Sequence, residues 1–192
     1  GWSPKDDTEI FSPQELVERF SLEAVNHSAA KFDITKCRWV NQQHIIALPP
    51  EEFAAKARPF CLQAGLPDSG ILNEAIATVQ TKVQTLAEVP DKIRFFSHLS
   101  MDPEALAKVQ PEAVELLSKL ADRLEREPVW DGHELIGVLK AFAKENGVKM
   151  GAVMFPARVA LTGLSGGPDL SAVFSLLGKE ESLKRIRAFS LN

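Results

Sequence analysis

Apolar residues recur at helical spacing along most of this chain, and prolines and glycines cut the pattern into short blocks. Ser12, Pro13 and Glu15 form a capping-box start with proline at the first helical position, which predicts a short helix to about Phe20. Asp33 predicts the N-cap of a second helix ending near Ile46, with Ile34, Cys37, Val40 and either His44 or Ile45 on one buried stripe. Pro49 and Pro50 break it. Pro50 opens a third helix through Phe53, Ala57 and Cys61 to a stop at Gly65, and Pro59 inside it predicts a kink or two shorter helices. From Ser69 the run Leu72, Ala75, Ile76, Val79, Val83 and Leu86 keeps helical spacing up to Pro90, predicting the best-defined helix of the first half.

A short helix fits residues 91–96, and Asp102 caps another with Pro103 at its first position. Pro111 opens a longer one, with Val114, Leu117, Leu120, Ala121 and Leu124 inward and Glu115, Lys119, Asp122, Arg123 and Arg126 outward. Asp131 and Glu134 start the next, which carries Leu135, Val138, Leu139 and Phe142 and stops at Gly147. The remainder predicts short helices at 151–155 and 156–162, a longer one at 170–177, and a last one from Glu180 to Phe189. Strand signals are nearly absent: there is no Tyr, no Asn-Gly turn and no sustained alternation. The pattern predicts an all-α protein without a fixed-period repeat, its seam between two helical modules near Pro90.

Composition adds little until charge is resolved along the chain. The length of 192 residues allows one domain or two small ones, and 45% apolar with 25% charged residues is ordinary for a globular protein. No apolar run reaches the roughly 18 residues of a membrane span, and residues 1–7 lack a signal-peptide pattern. Cys37 and Cys61 have no Cys or His at metal spacing beside them, so a reduced, intracellular protein is expected. The net charge of −4 hides a split: residues 1–131 carry 14 Lys/Arg against 21 Asp/Glu, residues 132–192 carry 8 against 5. A polyanion is expected to favour the C-terminal third.

Candidate chemistry concentrates there too. The four histidines, His27, His44, His98 and His133, form no i, i+4 pair, and no nucleophile–base set stands out. Residues 163–167 lack the Gly-Lys-Ser/Thr ending and preceding strand of a phosphate loop. Arg158 lies among residues that favour burial, next to a Gly166-Gly167-Pro168 elbow. It reads either as an arginine satisfying helix-end carbonyls or as a planar donor group at the lip of an apolar pocket, suited to a base edge or a phosphate. Lys179, Lys184, Arg185 and Arg187 read either as a solvated helix face or as a phosphate track.

The ordered residues Pro156, Arg158, Ala160–Gly163, Pro168, Leu170 and Leu176–Glu180 resemble the C-terminal anticodon-binding region of bacterial glutamyl-tRNA synthetase. Trp2-Ser3, Glu9-Ile10-Phe11, Phe20–Glu23, Lys31-Phe32-Asp33, Lys36, Arg38-Trp39, Thr85-Leu86 and Gly147-Val148-Lys149 continue the resemblance in order, so it covers essentially the whole chain.

The resemblance implies a class I synthetase that attaches glutamate to its tRNA with ATP and Mg²⁺. The catalytic half, with its His-rich and Lys-Met-Ser-Lys-type loops, is not matched here: there is no His-x-Gly-His, and Lys149-Met150-Gly151 only mimics the second loop. The chain is thus expected to be the non-catalytic C-terminal part, with no cofactor of its own. Residues 1–46 are expected to end the stem-contact region. Residues 47–94 and 95–192 are expected to form two helical anticodon-binding domains, a bundle or cage. Carried over by position, Arg158, Gly167, Pro168 and Leu170 line the anticodon pocket, and Lys82 stands where discriminating members have an arginine that reads the third anticodon base. Lysine keeps the charge but loses the planar fork. Lys36, Arg38, Trp39, Lys179, Lys184 and Arg185 are further candidate tRNA contacts. The implied partner is tRNA(Glu), bound by a cytoplasmic monomer with no membrane or DNA role. Two other readings stand beside this one: a non-discriminating synthetase that also charges tRNA(Gln), and a helical protein-interaction module without RNA binding.

Overall fold

The computed structural model describes residues 2–4, 6–27, 29 and 31–189. Among them are ten α-helices, four 3-10 turns and no strand. Among the described residues no helix is long and apolar enough to cross a membrane.

The first segment is held by local chemistry. In α1 (Pro13–Arg19) the Ser12 hydroxyl accepts from the Glu15 N–H while the Glu15 carboxylate accepts from the Ser12 N–H. Both orphan donors of the helix start are thereby satisfied. Trp2 packs between Phe11 and Phe20, with centroid distances of 6.1 and 5.9 Å. The Asp33 carboxylate caps α2 (Ile34–Ala47), as its spacing predicts. The expected buried stripe does not form, however. Ile34, Cys37 and His44 are exposed, Val40 is half-buried, and within α2 Ile45 is the buried residue. The first turn of α2 pairs with the lead-in through Lys36 and Glu9, and its later turns meet the first core: Asn41 donates to the Gln84 carbonyl at 2.5 Å, and Gln80 donates to the Ile45 and Leu48 carbonyls at 2.8 Å each.

A first core contains Phe53, Ala57, Cys61, Leu72, Ile76, Val79, Val83 and Ile93, all inaccessible to solvent. α3 (Pro50–Gln63) runs unbroken through Pro59 and does not divide into two shorter helices. Pro59 and Ala55 are both exposed, so the carbonyl that loses its helical partner stays within reach of water. The 69–90 run has the right buried residues but is not one helix. α4 (Leu72–Ala77) ends where the Thr78 hydroxyl donates to the Ala75 carbonyl at 2.6 Å. Two 3-10 turns, Gln80–Lys82 and Leu86–Glu88, then lead into α5 (Val89–Ile93). A side chain that hydrogen-bonds the backbone locally can stop a helix whose apolar period continues.

A second core runs from Phe95 to Phe189 and draws on α6 (Pro103–Leu106), α7 (Glu112–Glu125), α8 (Gly132–Glu145), α9 (Gly151–Thr162) and α10 (Leu170–Ala188). Asp102 and Asp131 cap α6 and α8, and Leu117, Leu120, Ala121 and Leu124 of α7 face inward. α9 continues through Pro156 instead of splitting there: the residue relieved of its bond is Ala152, in the exposed first turn. α10 is interrupted at Gly178, whose φ of 71° and ψ of 176° are non-helical, so two helical segments flank it. Phe96 packs against both cores, and Leu176 of α10 reaches back to the first.

Candidate nucleic-acid interface

α9 ends at Gly163, whose φ of 73° supplies the left-handed C-cap that lets the chain turn sharply. The segment that follows leads through Gly167, with φ of 139°, to Pro168 and the start of α10. Arg158 lies one helical turn before the end of α9 and donates from Nη1 to the Pro168 carbonyl at 2.5 Å. Burial pushes the Arg158 pKa down, and the nearby Asp169 carboxylate opposes that shift. An arginine stays charged under such a perturbation. Through this bond the half-buried Arg158 ties the end of α9 to the elbow.

Lys82 comes to the same place from the first module. It sits at the end of the Gln80–Lys82 turn, with Nζ 3.1 Å from an Asp169 oxygen. Lys82, Arg158, Gly167 and Pro168 are thus brought together at the junction of the two cores. Leu170 is 3% exposed and lies in the second core, so its side chain anchors the elbow from below.

The other candidates fall elsewhere. Arg38 is exposed, and as the residue three and four positions before Asn41 and Gln42 it shares the face of α2 that meets residues 81–84. Trp39 is 37% exposed, and Lys36 pairs with Glu9. The basic tail does not form a phosphate track. Arg185 is buried at 8% exposure and donates from Nη1 to the Phe95 and Leu161 carbonyls, at 2.8 Å each, and from Nε to Glu181. It is a core arginine, out of reach of RNA. Lys179, half-buried, donates to the Glu127 carbonyl at 2.8 Å; Arg187 pairs with Asp122 and Glu125 of α7. Lys184 alone of the four is both exposed and bonded only within its own turn, to Glu181. Of these four basic residues Arg187 is the one paired with carboxylates of α7, while Lys184 and Arg185 share Glu181 of their own helix.

A separate groove of about 490 Å³ lies between the starts of α7 and α9, lined in part by Leu116, Lys119, Val148 and Phe155. None of the candidate RNA residues lines it. Among the described residues no group of three or more His, Cys, Asp or Glu could hold a metal ion.

The model of the anticodon binding domain family matches residues 52–190, taking in the second core, all of the first but Ile45, and the junction between them. The chain belongs to the anticodon binding domain family. Within it the chain is similar to glutamate–tRNA ligases: it is 87% identical over 192 residues to that of Akkermansia muciniphila, a match covering all of this chain and 44% of that protein. The ligase of Geobacter sulfurreducens is 38% identical, over 97% of this chain and 41% of its own length. A crystal structure of a glutamate–tRNA ligase from Elizabethkingia meningosepticum in complex with its amino acid has a TM-score of 0.80 at 27% identity, covering 97% of this chain and 38% of that one. This anticodon-binding chain therefore spans less than half the length of these relatives, and matches their C-terminal part.

One residue at the junction escapes sequence reasoning. Asp169 follows Gly-Gly-Pro and precedes a helix, so it reads as an ordinary N-cap; only the tertiary fold brings it to Lys82.

Proposed function

We propose that this chain recognises the anticodon arm of tRNA(Glu) in the cytoplasm, as part of a glutamate–tRNA ligase whose ATP- and Mg²⁺-dependent ligation of glutamate is carried out by the rest of the protein. The observation that carries the proposal is the junction itself, where Lys82 from one core and Arg158 beside the Gly167–Pro168 elbow from the other meet at one surface. Unpaired anticodon bases can be splayed and read on their edges by such donors, while apolar surfaces beneath them pack the rings. Lys82 and Arg158 would supply the reading donors. Gly167 would offer its backbone only, since a side chain is disfavoured at its φ. Pro168 and Leu170 would hold the elbow in place, and Arg38 and Trp39 of α2 would extend the contact towards the stem.

Arg158→Ala is expected to weaken binding of a tRNA(Glu) anticodon stem-loop by about 1–3 kcal/mol, the range for one base-reading side chain. Fluorescence titration of the 192-residue chain measures this, with a melting curve to confirm that the variant is folded. A folded variant with unchanged affinity would remove Arg158 from the interface.

A further inference from the structure

Four α-helices of this chain begin with a side chain that caps them: Ser12, Asp33, Asp102 and Asp131 each accept from a backbone N–H of the first turn. Asp169 occupies the same position before α10, with the extended backbone of an N-cap at φ −63° and ψ 144°, yet its carboxylate makes no cap hydrogen bond. It turns instead to Lys82, 3.1 Å away across the junction of the two cores, and it is the charged neighbour of Arg158. The local role that this residue type has elsewhere in the chain is given up for a tertiary one.

Holding the modules together does not account for that choice. The Asp169 side chain is 74% exposed and that of Lys82 37%, and a solvent-screened pair of this kind adds little to stability. The modules are already joined by Phe96 and Leu176, which pack into the first core from elements of the second. The pair is cheap to open, and it stands where RNA would enter.

Lys82 and Arg158 are donors only, and a pocket made of these two alone would accept a phosphate as readily as a base. An ionised carboxylate is an acceptor only. Placed beside them, it repels phosphate and completes a set of adjacent donors and acceptors, the pattern that a base edge carries and a phosphate lacks. We propose that Asp169 is a specificity-determining residue of this site, admitting a base edge to the Lys82–Arg158 surface and excluding the phosphate backbone. The inference rests on the anticodon-reading function proposed above and names the residue that makes the reading selective.

The test uses the 192-residue chain, wild type and Asp169→Asn, titrated at several salt concentrations with the tRNA(Glu) anticodon hairpin and with the same hairpin carrying a scrambled loop. Asparagine keeps an acceptor, gains an amide donor, removes the charge and loses no cap bond, so the variant should melt as the wild type does. The scrambled hairpin is expected to bind the variant about two- to fivefold more tightly than the wild type, the size of one screened charge. The anticodon hairpin should change less, so the preference between the two falls. The slope of log affinity against log salt for the scrambled hairpin should steepen by about 0.7, one added phosphate contact on a single strand. Wild-type preference with an unchanged ratio and slope in the variant would overturn the role of Asp169 alone. A wild type that binds both hairpins equally would overturn the reading function and this inference with it.

Discussion

Replacing Arg185 with methionine is expected to lower the free energy of unfolding by about 3–5 kcal/mol, measured by urea denaturation. The guanidinium joins three elements: its Nη1 donates to the Phe95 carbonyl at the start of the second core and to the Leu161 carbonyl in the last turn of α9, and its Nε to Glu181. Leu161 is among the final residues of α9, so its carbonyl has no helical donor ahead of it. Methionine fills much of the same volume but donates nothing, leaving two buried acceptors unpaired at about 1–3 kcal/mol each. Arg185 therefore supports the α9 end that carries Arg158, from the side facing away from any ligand. The molecules that remain folded should bind the anticodon hairpin with wild-type affinity. A loss of stability below about 1 kcal/mol would mean that the two carbonyls find other donors.

Gly163→Ala is expected to cost about 2–5 kcal/mol, read from the same denaturation curves. Two separate penalties add. At φ of 73° an L side chain clashes with its own backbone, and a Cβ there would lie 2.0 Å from the Ser100 carbonyl oxygen, which belongs to the main chain and has little freedom to yield. The Asp102 N–H also donates to the Gly163 carbonyl at 2.9 Å, so displacing residues 100–102 strains the start of α6 as well. Gly147→Ala separates the two effects: φ is 64° but the space around it is open, so about 1–2 kcal/mol is expected from the backbone alone. Equal losses at the two glycines would show that the contact with Ser100 relaxes without cost.

Where the sequence reads the fold correctly, local chemistry and tertiary packing agree. α7 and α8 combine an apolar face with a well-defined start, and the break at Gly178 falls where glycine leaves the helical pattern. The misreadings arise where one of these speaks without the other. Leu72 to Val83 keep a helical period and are buried, yet Thr78 and the 3-10 turn at Gln80–Lys82 end the helix early. Pro59 and Pro156 punctuate the sequence, but each frees a carbonyl in an exposed stretch, so α3 and α9 pass through them. Ile34 and Cys37 have the spacing of a buried stripe but are exposed to solvent.

The site divides the same way. Arg158 is conspicuous in sequence because it stands in an apolar segment beside a glycine-rich elbow. Lys82 is marked by the family resemblance alone, since no local pattern distinguishes it from other surface lysines. Arg185 and Lys179 read as solvent-facing charges because a one-dimensional charge count cannot see the carbonyls they satisfy. Asp169 needs the most three-dimensional information, because its partner lies in the other core and its nearest sequence role is a cap it does not make.

The most direct test of base reading at this junction compares two RNAs on one protein. The wild-type chain is titrated, at a single salt concentration, with the tRNA(Glu) anticodon hairpin and with a hairpin of identical stem and length whose loop is scrambled. Both carry the same phosphates, so counterion release contributes equally and any difference comes from the bases. Tighter binding of the anticodon hairpin by about 1–3 kcal/mol is predicted; equal affinities would contradict the account.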